Sequence, residues 1–167
     1  MILRDGVVVL RPWSPADEEA LWRACQDPEV QKWIPHLPSP YGRADAEAFI
    51  AQAGPTQWAV TVEDEVVGSM DIARQVWDVG HLGYLCSPLS RNRGITTRAL
   101  RLMSRAAFDD LEFARLEMLV DVENIPSRRV AEKAGFALEG TLRSVIRWRD
   151  GTRRDAHMLS LLPGDAR

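Results

Sequence analysis

Apolar residues recur along this chain at two periods, and the switch between them predicts a domain of mixed α and β elements. Gly6-Val-Val-Val-Leu10 is a β-branched run and reads as the first strand. Ser14-Pro15-Ala16-Asp17 supplies an N-cap, a proline at the first helical position and an acid at the third. A helix is therefore expected from there to about Cys25, with Ala20, Leu21, Ala24 and Cys25 on its buried side. A second, short helix starts near Pro28, and the prolines between Ile34 and Tyr41 then force an extended surface loop. Arg43 to Ala53 reads as a helix with Ala46, Phe49 and Ile50 inward, ended by Gly54-Pro55. Strands at Thr56 to Glu63 and Val66 to Ile72 flank an acidic turn, and Val79 to Cys86 is the next strand.

Pro88 cannot donate to a ladder, so that strand stops before it. Beyond Gly94 the period changes: Ala99, Met103 and Ala106 fall at helical spacing, with Arg101, Arg105 and Asp109 on another face. Leu116, Met118 and Val120 then alternate with Glu117 and Asp121, a strand, and a helix follows from about Pro126 to Ala134. A hairpin through Asp150-Gly151 closes the chain. The order of β, two or more helices, three strands, helix, strand, helix and two strands is that of an α+β sheet domain.

Length and composition narrow the picture. A chain of 167 residues that is 46% hydrophobic suits one domain over 1–167. A formal net charge of -3 speaks against nucleic acid or a membrane surface as partner. The first residues lack the pattern of a signal peptide and no apolar run has the length of a membrane span, so a cytoplasmic protein is expected. Cys25 and Cys86 are too few for a disulfide framework, and His36, His81 and His157 are scattered, so no metal is expected.

The chemistry concentrates where the strand ending at Cys86 meets the helix beyond Gly94. The first N–H groups of a helix have no intrahelical partner and its dipole is positive there, which suits an anion. Arg91 and Arg93 add charge, and Gly94, without a Cβ, lets a phosphate approach the backbone. A solvated basic loop has the same composition, so these residues alone leave two readings open.

Arg91-Asn-Arg-Gly-Ile-Thr96 resembles the pyrophosphate turn of the GCN5-related N-acetyltransferases, Gln/Arg-x-x-Gly-x-Gly/Ala. Thr96 departs from that pattern, where a β-branched residue could crowd the pyrophosphate. Asn124-Ile-Pro-Ser127, then Glu132-Lys-Ala-Gly-Phe136 and Glu139-Gly140, is similar to the signature of the RimJ/RimL branch. The resemblance implies a mixed, mostly antiparallel sheet of six to seven strands with about four helices, splayed between the fourth and fifth strands, here Val79 to Cys86 and Arg115 to Val120. It implies acetyl-CoA as donor, its pantetheine arm held by backbone around Leu85, Cys86 and Ser87 and by Asn124. The pyrophosphate would rest on Arg91, Arg93, Gly94, Ile95, Thr96 and Thr97.

The acetyl group would pass to a primary amine, a protein N-terminus or a small molecule, by direct attack in a ternary complex. Relatives commonly carry Glu where His81 stands, making His81 the implied base, with Asp78 and Glu117 as lesser candidates; a surface histidine is the plain alternative. Ser127 matches the serine that would protonate the thiolate, or it caps a helix. Trp33, His36 and Tyr41 either wall the acceptor site or pack the proline-rich loop. Cys86 reads as an inert buried thiol and not as a covalent nucleophile. An acyl-CoA-binding sensor without turnover is the rival reading, and a monomer or homodimer is expected.

Overall fold

Gly6 splits the first apolar stretch. With φ of +56° it reverses the chain, so that β1 (Leu3–Asp5) pairs antiparallel with β2 (Val8–Arg11) and adds a strand that the run of valines concealed. In the computed structural model, which describes residues 1–165, the chain continues through α1 (Glu18–Cys25), α2 (Pro28–Trp33) and α3 (Arg43–Gln52). Then come β3 (Gln57–Val62), β4 (Glu65–Arg74), β5 (Val79–Cys86), α4 (Ile95–Asp109), β6 (Arg115–Asp121), α5 (Ile125–Ala134), β7 (Ala137–Arg147) and β8 (Arg153–Leu161). The described residues thus hold eight strands and five α-helices, one more of each than the upper expectation for strands and the approximate one for helices. The strands form one sheet in the order β1-β2-β3-β4-β5-β6-β8-β7.

The helix starts are built as their residues require. Asp17 accepts a hydrogen bond from the Ser14 N–H at 2.8 Å and pairs with both terminal nitrogens of Arg11 at 2.7 Å. Asp27 caps α2 through the Val30 N–H at 3.1 Å. Phe49 differs from expectation: at 36% exposure it lies outside the core, edge-on to Trp13 with ring centroids 5.6 Å apart. Only Ala46 of α3 is fully covered, because this helix rests on α1 at the surface and needs one narrow small-residue contact.

Each face of the sheet buries its own core. On one, Met70, Ile72, Leu82, Leu116 and Met118 pack against Leu100 and Met103 of α4 and Ala131 of α5. Burial of each large side chain here contributes roughly 1.5–3 kcal/mol. On the other, Leu85 meets Leu21, Cys25, Val30 and Tyr41 beneath α1 and α2.

The two halves of the sheet meet at a single parallel junction. β5 and β6 pair only at Val79 with Arg115, Gly80 with Leu116 and His81 with Glu117, after which the strands part. The expected splay is present, now between the fifth and sixth strands because β1 precedes the rest. Gly80 lets the junction close: a Cβ there would stand 2.7 Å from Leu116 Cδ2, 2.9 Å from Ile72 Cγ2 and 3.1 Å from Phe113 Cδ1. Gly80→Val should therefore destabilise the domain by about 1–3 kcal/mol through overpacking, read as a lowered urea midpoint; an unchanged midpoint would show that the junction yields.

Candidate active site

Where β5 leaves β6, its main chain loses one neighbour. Along a strand, successive residues turn their N–H and C=O to opposite sides. The Ser87 N–H bonds to the Val67 carbonyl at 3.2 Å, so Leu85 and Ser87 are turned to β4, while Tyr84 and Cys86 are turned to the gap. Of the three residues expected to pair with an amide-bearing arm, Cys86 alone presents its peptide group there. The peptide group of Tyr84 faces the gap beside it.

The gap opens toward the turn before α4. Gly94 adopts φ of +71° at the N-cap, no side chain caps the helix, and a Cβ on Gly94 would have nothing within 4 Å. The Arg98 N–H bonds to the Gly94 carbonyl at 3.0 Å, which leaves the N–H groups of Ile95, Thr96 and Thr97 ahead of it. These donors and the positive end of a fifteen-residue helix form a cradle for an anion. Thr96 does not crowd it. Its side chain is buried and its hydroxyl donates to Cys86 Sγ at 3.3 Å, so it points into the core and offers the turn only its N–H.

The two arginines are placed differently from each other. Arg91 is paired with Asp27, Nη1 to Oδ2 at 3.3 Å, and holds that carboxyl below the usual range. It staples the turn to the start of α2, and its charge is already answered. Arg93 donates to the Leu89 carbonyl at 3.0 Å, which braces the turn while no acid among the described residues pairs with it.

Across the gap, Asn124 Oδ1 accepts from the Ser127 N–H at 3.1 Å and caps α5. Asn124 is thus the cap, which leaves the Ser127 hydroxyl free for another partner. That partner is the phenol of Tyr84: the two oxygens lie 2.7 Å apart, and the phenol also donates to the Ser127 carbonyl at 3.2 Å. Burial pushes the Tyr84 phenol up to about 12, against the pull of the Ser127 bond, so it stays protonated at neutral pH.

His81 stands at the apex of the gap, with 36% of its side chain exposed and Nδ1 3.9 Å from Glu117 Oε1. Both lie on the face covered by α1 and α2. On the opposite face the apex is closed by Leu82, Leu116 and Phe113, all buried, so a second reactant has access from the histidine side alone. Asp71, directly across from Gly83 on β4, shares that face. Burial raises its carboxyl above the usual range, with the charges of His36 and His81 pulling it down in part.

The remaining expected residues fall outside this constellation or at its rim. Asp78 pairs with Arg74 at 2.5 Å on the exposed turn before β5. Trp33 keeps to its own helix, donating to Glu29 Oε2 at 3.1 Å, and His36 stands in the proline-rich loop. Tyr41 is buried and packs that loop. Arg149, at the tip between β7 and β8, donates to the carbonyls of Gln31 and Ile34 and ties that hairpin to the end of α2. Tyr84 and Asp71 were missed by sequence reasoning. Tyr84 was visible beside His81, but its partner lies 43 positions away. A lone acid in the middle of an apolar strand was the one available signal for Asp71.

A sheet parted at one parallel junction, with an anion cradle at one end and a histidine at the other, defines the class of acyl-CoA-dependent transferases. A family model described as "Acetyltransferase (GNAT) domain" matches residues 8–137, and the chain belongs to that family. It is 33% identical over 106 residues to Bacillus subtilis (strain 168) YjcK, a "Probable N-acetyltransferase", covering 62% of this chain and 58% of that protein. It is 27% identical over 157 residues to the L-amino acid N-acetyltransferase AaaT of Escherichia coli (strain K12), covering 92% and 96%. The structure of Mycobacterium smegmatis RimJ in complex with CoA-disulfide superposes with a TM-score of 0.84 at 24% identity, over 98% of this chain and 87% of that one. Acetyl-CoA is the donor that this family membership supports.

Gly94→Val places a β-branched residue in a left-handed conformation that costs roughly 1–2 kcal/mol. The turn should relax and the Kd for coenzyme A should rise about tenfold, measured by titration calorimetry alongside an unchanged circular dichroism spectrum. Unaltered affinity would show that the cradle does not hold the ligand.

Proposed function

We propose that this protein transfers an acetyl group from acetyl-CoA to a primary amine by direct attack within a ternary complex. The observation that carries this reading is the β5–β6 gap, which leads from the open α4 turn past the Tyr84–Ser127 pair to His81. A pyrophosphate on the N–H groups of Ile95 to Thr97 directs an extended arm into the gap, where the peptide groups of Tyr84 and Cys86 meet its amides. The free amide nitrogen of Asn124 lies on the opposite wall.

The reaction makes three demands, and each meets a group in place. An amine attacks only when neutral; an α-amine sits near 8 and a lysine amine near 10, so deprotonation costs little for the first and more for the second. His81 takes that proton, directly or through a water, with Glu117 beside its ring. The C–N bond forms, the main-chain N–H of Cys86 in the gap serves the developing oxyanion, and the C–S bond breaks. The departing thiolate takes a proton through the Ser127 hydroxyl, held at hydrogen-bond distance from the Tyr84 phenol, and the proton that the nitrogen sheds on becoming an amide refills that hydroxyl. Cys86 is not a nucleophile here: its thiol lies 3.0 Å from the Ser90 hydroxyl and accepts from Thr96, facing α4.

A protein N-terminus or a small-molecule amine serves as acceptor, and a cytoplasmic setting suits both. Among the described residues no helix is long and apolar enough to cross a membrane. The sensor reading loses one of its two supports with the inward turn of Thr96.

His81→Ala should lower kcat by about 10²-fold or more with a small change in KM for acetyl-CoA. Ser127→Ala should cost less, at most about 10²-fold, because a thiolate is a good leaving group, and Tyr84→Phe less still. The Ser127→Ala, Tyr84→Phe double variant should be no slower than Ser127→Ala alone. Thiol release with an amine panel reads all four; tight coenzyme A binding without release for any amine would favour a sensor.

A further inference from the structure

Asp71 is a half-buried carboxylate for which no hydrogen-bond donor or ion-pair partner is present among the described residues. Every other acid near the apex is answered. Glu117 lies 3.4 Å from Arg115 Nε, and the terminal nitrogens of Arg115 are held by both oxygens of Glu139 at 2.8 and 2.7 Å. Among the described residues no lysine or arginine pairs with Asp71, and His81 stands diagonal to it across the β4–β5 ladder.

Its position is built. Asp71 pairs in register with Gly83, and a Cβ on Gly83 would lie 2.8 Å from Asp71 Oδ1 and 3.3 Å from Oδ2. Any larger residue at 83 would push the carboxylate from its place, so the missing side chain makes the seat in which it rests. Two residue pairs further along, His81 stands between β4 and Glu117 of β6, on the same face of the sheet. An unanswered carboxylate thus sits diagonal to the group that must deprotonate the amine, on the one side from which a second reactant can arrive. A carboxylate left unpaired at such a depth costs stability unless a cation meets it.

We propose that Asp71 receives the ammonium group of the acceptor, and that the site takes a primary amine with no carboxylate on the carbon that bears it. This rests on the transfer reading above and deepens it. The ammonium docks between Asp71 and His81, and one of its protons then passes to the His81 ring. Asp71 would repel an adjacent carboxylate, and Arg115, shared between Glu117 and Glu139, leaves that trio with a net negative charge that does not offset the repulsion. A peptide N-terminus and an alkyl amine share the required chemistry; a free amino acid lacks it.

The test separates binding from turnover. With coenzyme A bound, so that no reaction runs, the full chain is titrated with phenylalaninamide, 1,4-diaminobutane and phenylalanine, followed by NMR. The amide or the diamine should bind, whichever is the better identifying the acceptor body, with phenylalanine at least about tenfold weaker. Asp71→Asn should weaken the bound amine about tenfold or more while its Tm rises, as expected when an unpaired buried charge is removed. Gly83→Ala should weaken amine binding in the same direction. In turnover, Asp71→Asn should raise the acceptor KM more than it lowers kcat, the opposite split from His81→Ala. Retained amine affinity in Asp71→Asn, phenylalanine binding as well as its amide, or no amine binding at all would overturn the assignment. Amine binding by the wild type without thiol release from acetyl-CoA would instead overturn the transfer reading and leave this one standing.

Discussion

Two parallel strands that separate after three residue pairs leave main-chain donors and acceptors facing a space with no strand to fill it, and the rest of the domain is arranged around that deficit. A closed sheet would satisfy those groups internally and leave no slot for an extended ligand. The separation is maintained from both sides. β4 pairs with β5 from Gly80 to Cys86, and β8 pairs with β6 from Leu116 to Asp121. Each strand is therefore held by its outer neighbour and need not collapse onto the other. The Tyr84 hydroxyl, reaching Ser127 at the start of α5, spans the opening with one side chain where a ladder would have needed a strand.

The polar work at the ends of the gap is divided between backbone and side chain in a consistent way. At the open end the anion cradle is main chain, and the nearby side chains serve other ends: Arg91 is spent on Asp27, and Thr96 on Cys86. At the closed end the polar groups are side chains, His81 beside Glu117 with Asp71 diagonal to them. This division explains why the departure at Thr96 is tolerated: a position that contributes only its N–H to the turn accepts any residue whose side chain fits the core behind it.

Much of the architecture was legible in the sequence because periodicity reports burial. The helices at Glu18–Cys25, Ile95–Asp109 and Ile125–Ala134, and the strand before the turn, lie where apolar spacing put them. β1 escaped because Gly6 lies within an apolar run, and only the positive φ reveals that the chain turns there. The turn at Arg91 to Thr97 was readable as motif and as helix start together. Asp71 and the Tyr84–Ser127 bond were not, since each depends on strand register, which one sequence specifies through neighbours that it does not name. Arg91, read from the motif as part of the turn, pairs with a carboxylate 64 residues away, a contact that the motif does not reveal.

The bond from Arg149 to the carbonyls at the end of α2 links segments more than a hundred positions apart, and neither belongs to the donor half of the cleft. The proline-rich loop and the hairpin between β7 and β8 are thereby clasped into one unit. Cutting that clasp, which one guanidinium makes with two carbonyls, would free both segments at once while the ladders that hold β5 and β6 stay intact.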